Sequence, residues 1–283
     1  MVASAKQYVN LGCGPVFIPD PQWLNLDYNS ASPSVVKADL LKPLRVDTAT
    51  IDLVYSSHLL EHIPRDSVRG LLIECKRILR AGGLLRLVLP DFEEMCRSYI
   101  QYRDAGQHLY ADFLVVEIID QCVRKYPGGE LAGLYCQFAS NSEGEQNMID
   151  FIRSRNGERL GYVNDLCSPK VDRVYQIRPS RFQSIKCVVQ EFLDAIRLQV
   201  GARIIPSSFR RNNISFAHVG ELHRWLWDFH QISSVLSSCG FGDIQKMTHG
   251  TSNYSGFPFF PLDADHDGRP RKGLESMFIE ARA

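Results

Sequence analysis

No apolar run in these 283 residues approaches the roughly 20 that a membrane-spanning helix needs. Residues Met1 to Gly12 contain no secretory apolar core, so no cleaved leader is expected. Neither sign of charge is in excess: 32 Lys and Arg stand against 32 Asp and Glu. Nonspecific nucleic-acid binding feeds on a basic face, so nucleic acid is not the expected partner. The eight cysteines (Cys13, Cys75, Cys96, Cys122, Cys136, Cys167, Cys187, Cys239) include no Cys-x-x-Cys pair. A reduced cytoplasmic chain is expected, rather than a disulfide framework or a zinc ribbon. There is no internal repeat and no low-complexity tract. With 45% hydrophobic and 23% charged residues, disorder, collagen and coiled coil are poor readings. The length suits one large domain, or a core domain with a sizeable insert.

What is present is a rhythm of short apolar runs and turns. Tyr8 to Leu11, Trp23 to Leu26, Val35 to Ala38 and Ile51 to Tyr55 read as strands, ending at Gly12-Cys13-Gly14, Asp27, Asp39 and Ser56-Ser57. Runs this apolar, without strict alternation, predict strands buried on both faces of a parallel sheet. Val68, Leu71, Leu72, Cys75, Ile78 and Leu79 then share one face of a helix. Asp66 or Ser67 can cap its start and Gly82-Gly83 can stop it. Leu84 to Leu89 is a fifth strand. Near the C-terminus, Ile232 to Cys239 predicts a helix stopped by Gly240. Asp243 to Thr248 and Ser276 to Ala281 predict two closing strands, joined by a connection rich in Gly, Pro and aromatics.

Between the halves lies an insert, giving a division into a core of residues 1–91 and 218–283 and a mostly helical insert of residues 92–217. Helical spacing is visible at Phe92 to Tyr102, Leu109 to Val123, Met148 to Ile152 and Phe182 to Ile196. Its charge is split. Residues 91–149 carry 10 acidic and 4 basic side chains, a balance of −6; residues 150–211 carry 6 and 12, a balance of +6. If these halves face each other they hold the insert together; if the basic half faces the site, an anionic small molecule is allowed there.

Strand, Gly-x-Gly, then an acidic residue ending the next strand is the outline of a nucleotide-type site. Here Gly12-Cys13-Gly14 is joined by Asp27, by Asp39 in Lys-Ala-Asp-Leu, by Asp52-Leu-Val-Tyr-Ser-Ser-His-Leu-Leu-Glu-His, and by Arg77-Ile-Leu-Arg-Ala-Gly-Gly. In that order and spacing the chain resembles the class I S-adenosylmethionine-dependent methyltransferases. It is most similar to the small predicted methyltransferases that often accompany glycan and natural-product pathways. The resemblance covers residues 8–91 and 218–283. It implies a Rossmann-like sheet of seven mostly parallel strands and S-adenosylmethionine as cofactor. Gly12, Cys13 and Gly14 would line its methionine and ribose, Asp27 and Tyr28 the ribose hydroxyls, and Asp39 with Leu40 the adenine. Ser56, Ser57 and His62 would lie beside it near the sulfonium.

Two departures from that family stand out. Its acidic residue opening the glycine motif is Asn10 here, still able to bond the cofactor's amino group, and its third glycine is Val16. Pro15 to Gln22, with three prolines, is too short for the usual helix, and the next two connections are also short. One face of the sheet is therefore expected to lack helices, with the insert or the second subunit of a homodimer as its cover.

His58-x-x-Glu61-His62 matches a zinc-protease pattern, but lies at a strand-to-helix junction rather than within a helix. It also resembles ubiquinone-pathway O-methyltransferases, which carry Glu-x-x-Glu-His with a bound divalent metal. The first glutamate is His58 here, so the sequence assigns no metal. The expectation is that His62 packs by the cofactor, Glu61 hydrogen-bonds locally, and His58 is a candidate base. A second cluster runs from His218 through His223, Trp225 and Trp227 to His230. Histidine can take a proton near neutral pH and tryptophans can exclude water. His218 and His223 are thus further candidate bases, and Trp225 and Trp227 a substrate wall. Asp263-Ala-Asp265-His-Asp267-Gly268 imitates a calcium loop, but Leu274 stands where glutamate is needed, so a polar turn is expected. Arg178, Arg181, Arg210 and Arg211 read as a solvated helix face. The implied reaction is in-line methyl transfer to a hydroxyl of a small metabolite or sugar. Amine methylation and a noncatalytic scaffold are the alternatives.

Overall fold

The structure, a computed structural model, describes residues 7–29, 32–140, 146–157 and 221–283. Seven strands form one sheet: β1 (Tyr8–Leu11), β2 (Trp23–Asp27), β3 (Val35–Lys37), β4 (Ile51–Ser57), β5 (Leu79–Pro90), β6 (Gly242–Met247) and β7 (Ser276–Arg282). Their order is β3-β2-β1-β4-β5-β7-β6. The β1–β2, β1–β4, β2–β3 and β4–β5 pairs are parallel, and β7 runs antiparallel to both β5 and β6. The predicted seven-stranded, mostly parallel sheet is therefore present.

Helix α1 (Arg65–Ile78) buries Val68, Leu71, Leu72, Cys75 and Ile78, the face that the periodicity marks. Its ends differ from expectation. Pro64 holds the N-cap position without a side-chain bond, leaving Asp66 in the first turn. The helix stops at Ile78 because Leu79 is already extended, so Gly82 and Gly83 lie inside β5. The C-terminal helix, Phe229–Ser238, is capped by Asp228, whose carboxylate accepts from Gln231 N–H at 2.7 Å. With α1 it covers one face, packing on Val9, Leu11, Val54, Leu85, Leu87 and Ile279.

The opposite face, formed by Trp23, Leu53, Tyr55, Leu84, Val88 and Phe278, does lack helices from the early connections, as the short loops require. Its cover corrects the expectation. Ile18 of the proline-rich turn and Tyr254, Phe257, Phe259 and Leu262 of the β6–β7 connection pack there. Aromatic side chains bury large areas each, so a segment that reads as a loop closes the sheet. Two asparagines secure the turn: Asn10 and Asn25, paired in register, donate to the carbonyls of Val16 and Ile18 at 3.3 and 3.0 Å. The buried amide nitrogens are satisfied by backbone that a helix would have kept for itself.

In register with them across the sheet lies an ion cluster. Arg86, fully buried, donates to Asp263 and Glu280 at 2.7 Å each and to the carbonyls of Thr248 and Thr251. Asp263 also accepts from the Tyr55 hydroxyl at 2.8 Å. The calcium-like segment thus splits: Asp263 is core, while Asp265 accepts backbone bonds in a polar turn.

The insert begins with α2 (Phe92–Asp104), α3 (His108–Val123), α4 (Gly129–Ser140) and α5 (Gln146–Asn156). Phe113, Leu131, Tyr135, Phe138, Met148 and Ile152 form its own core. Arg155, from the basic half, bonds Glu117 at 2.7 Å and Glu94 at 3.1 Å, from the acidic half. At this point the two halves face each other. The predicted helix at Phe182 to Ile196 and the four arginines from Arg178 to Arg211 lie outside the described residues.

Among the described cysteines, Cys13, Cys75, Cys96, Cys122 and Cys239 are free, and Cys136 is disulfide-bonded. No helix among the described residues is long and apolar enough to cross a membrane.

Candidate functional site

The strand order reverses between β1 and β4, and open α/β sheets bind ligands in the crevice beyond the carboxyl ends of such strands. Two candidate groups meet there because β1 pairs with β4, Leu11 opposite Ser56. From β1 come Gly12 and Gly14, both in the left-handed region at φ 61° and 51°. Gly12 also comes so close to Leu59 that a Cβ would lie 2.7 Å from Leu59 Cδ1. Cys13 is buried between them, and burial pushes its thiol up to about 12, which leaves it unreactive.

Asp27 joins the two loops. Its Oδ2 accepts from Gly14 N–H at 2.9 Å and its Oδ1 from Asn29 N–H at 2.8 Å. Each oxygen keeps lone-pair capacity for a ribose hydroxyl. Tyr28 is exposed beside it, and Asp39, with its own loop bond from Leu41 N–H, lies two residues past the end of β3 beside half-buried Leu40. Asn10 departs from its expected place at the cofactor, its side chain being turned to Val16.

From β4 come Ser56, Ser57 and His58. Ser56 is buried and donates to the Leu11 carbonyl at 3.3 Å, tying the two strands. Ser57 accepts from Arg271 at 3.2 Å. His58 has φ 50°, its Nε2 lies 2.9 Å from Ser276 Oγ and its Nδ1 3.3 Å from Glu61 Oε1. Burial, reinforced by the charge of Lys272, holds its pKa well below the usual imidazole range. Burial likewise pushes the Glu61 carboxyl up to about 8. The contact between them is therefore one of two neutral groups near pH 7.

A short 3-10 turn, Leu60–His62, places Glu61 fully buried. Its Oε1 has the local contact with His58 Nδ1, while its Oε2 has no hydrogen-bond partner. Its backbone carbonyl instead accepts from Arg224 and Trp225 N–H at 2.6 and 3.3 Å. His62 Nδ1 lies 3.2 Å from the Leu222 carbonyl, and its ring meets that of His223 edge to face, centroids 4.9 Å apart. The two histidine clusters of the sequence are thus one. Signals in the sequence mark each, but only the fold joins them.

His223 is buried, which lowers its pKa to about 3; it is a poor proton acceptor at neutral pH. His218 lies outside the described residues. The predicted tryptophan wall is corrected: Trp227 is 2% exposed and packs in the core, its backbone bonded to Phe92. Trp225 is half-buried under the Arg65 guanidinium, 4.2 Å from its centroid. His230 is exposed.

Residues 19–87 match the model described as a methyltransferase domain. Among solved structures it is similar to an S-adenosylmethionine-dependent methyltransferase from Mesorhizobium loti, at 25% identity and TM-score 0.26 over 30% of this chain and 46% of that one. It thus spans less than half of that relative. It is also similar to a SAM-dependent methyltransferase from Archaeoglobus fulgidus, at 10% identity and TM-score 0.39 over 99% and 87%. A third is a Haemonchus contortus phosphoethanolamine N-methyltransferase in complex with S-adenosylhomocysteine, at 20% identity and TM-score 0.26 over 32% and 23%. No curated protein matches the chain.

Proposed function

We propose that the protein transfers the methyl group of S-adenosylmethionine to a hydroxyl of a small metabolite or sugar. The observation that carries this reading is the cradle at the switch point: Gly12 and Gly14 with positive φ, clipped by Asp27, facing Ser57 and His58 across β1 and β4. The cofactor supplies an activated methyl group. The chain's part is then to hold cofactor and acceptor in line and to exclude water. Backbone at Gly12 and Gly14 gives close approach, Asp27 receives the ribose hydroxyls, and Asp39 with Leu40 borders the adenine.

His58 takes the role of base. With Nδ1–H toward Glu61, its Nε2 keeps the lone pair, and its depressed pKa keeps it neutral through physiological pH. The insert serves as the acceptor's lid. Its helices are fastened to the sheet's carboxyl edge where Leu274 and Glu275 donate to Ser154 and Arg155, and His223 to Gln121. Arg155 is spent on Glu94 and Glu117 and offers no charge to an anionic acceptor.

One observation favours the second reading, amine methylation: His58 and His223 are both weak bases, and a neutral amine needs none. The test is transfer of labelled methyl to panels of small hydroxyl and amine compounds. The hydroxyl reading predicts that His58→Ala lowers kcat about 100-fold or more while cofactor affinity is kept. An unchanged kcat with amine acceptors and a flat pH profile contradicts it.

A further inference from the structure

The geometry points to a divalent transition-metal site built from Glu61, His62 and His223, suited to zinc. One ligand atom from each lies within 4.8 Å of the others. The set combines the 3-10 turn after β4 with the segment where the insert rejoins the core. His58, at the head of the motif, is not one of the three but contacts Glu61 Oε1 through Nδ1 at 3.3 Å, its Nε2 being turned to Ser276.

Three observations beyond proximity support a built site. First, polar atoms that ordinarily find partners have none: Oε2 of Glu61, fully buried, and Nδ1 of His223, 6% exposed, while Glu61 Oε1 has only the 3.3 Å contact with His58. Buried polar atoms without a partner are costly, and a cation satisfies all of them at once. Secondly, His62 is oriented as ligating histidines are. Its Nδ1–H donates to the Leu222 carbonyl at 3.2 Å, leaving the Nε2 lone pair directed to Glu61, 4.0 Å from Oε1. Thirdly, the backbone that carries the donors is fixed from both sides. Arg224 and Trp225 N–H bond the Glu61 carbonyl, and His223 N–H bonds Gln121 of α3.

Two imidazoles and one carboxylate form a donor set that takes zinc or iron(II) and leaves at least one position open. Bonds of about 2.1 Å bring ligand atoms to about 3.4 Å from each other, so the side chains draw in by roughly 1 Å on loading. Nearby positive charge comes from Arg124, already paired with Asp120 at 3.0 Å, and from Lys272. His58 contacts the same carboxylate. On the methyl-transfer reading, the open position would receive the acceptor oxygen and favour its deprotonated form.

The test is calorimetric titration of Zn2+ into the full chain after chelator treatment, beside a titration of S-adenosylmethionine into the same samples. One equivalent of Zn2+ is expected, bound at least tenfold more weakly by Glu61→Gln and by His223→Gln and equally by His230→Ala, an exposed histidine elsewhere. Thermal melts without metal establish that each variant is folded. Should either fail to fold, Co2+ bound to the unaltered chain reads the donors directly through its visible absorption. No saturable Zn2+ binding, binding unaffected in the folded variants, or an octahedral all-oxygen Co2+ spectrum overturns the site. Absence of Zn2+ binding by an unaltered chain that still binds S-adenosylmethionine overturns the metal site alone; failure of that chain to bind S-adenosylmethionine counts against the methyl-transfer reading instead.

Discussion

The Asp27 carboxylate accepts a hydrogen bond from the Gly14 N–H at 2.9 Å, so the end of β2 holds the glycine turn that follows β1. The same carboxylate bonds Asn29 N–H with its other oxygen. Removing it loosens two loops and, on the proposed reading, takes away the group that receives the ribose. A hydrogen bond to a charged group contributes about 1.5–3 kcal/mol. Asp27→Ala is therefore expected to weaken S-adenosylmethionine binding about tenfold to a hundredfold, with Asp27→Asn between it and the unaltered chain. Calorimetry on the three proteins measures this; equal affinities would show that Asp27 is only a turn residue.

Gly12 and Gly14 share a positive φ but differ in their surroundings. A side chain costs about 1–2 kcal/mol in that conformation. At Gly14 there is open space, whereas at Gly12 the Cβ would strike Leu59. Gly12→Ala should thus lower the melting temperature more than Gly14→Ala, read by scanning calorimetry. The reverse order would mean that Leu59 yields freely.

Arg86 is the sole described cation touching both Asp263 and Glu280. Arg86→Met leaves two buried carboxylates without their ion pair, and breaking such a group costs about 3–5 kcal/mol. Urea unfolding monitored by circular dichroism should show a loss of that order. A change below about 1 kcal/mol would show the cluster to be solvated.

Much of this architecture is legible in the chain. The seven apolar runs are seven strands, and the spacing from Val68 to Ile78 marks the buried face of α1. Helix α4 is not evident: Leu131, Tyr135 and Phe138 have helical spacing, yet Gly128, Gly129 and Gly133 lower its propensity. The cover of the second face is hidden for another reason. Tyr254, Phe257 and Phe259 sit in a segment whose glycines and prolines read as a connection, and packing is decided by where the chain returns. In the site, the glycine turn and Asp27 are visible as a local pattern. The meeting of Glu61 with His223 depends on a crossing of distant segments, which spacing does not encode.

Glu275 gives the pH dependence. It is buried against Glu117, and burial first, then that neighbouring charge, holds its pKa well above 4.5. The folded chain keeps a proton that the unfolded chain releases. This stabilisation is complete below pH 4.5 and is lost as pH rises through the folded value. Between pH 5 and 9 the unaltered protein should lose more stability than Glu275→Gln, by at least about 1.4 kcal/mol, the equivalent of one pH unit. Denaturation series at pH 5, 7 and 9 provide the comparison, and parallel curves would refute it.

The central claim is that the crevice between β1 and β4 holds S-adenosylmethionine. Titration of S-adenosylmethionine into the full chain by calorimetry tests it most directly. The account predicts saturable binding of one equivalent, reduced at least tenfold in Asp27→Ala. Absence of binding to the folded, unaltered protein would contradict it.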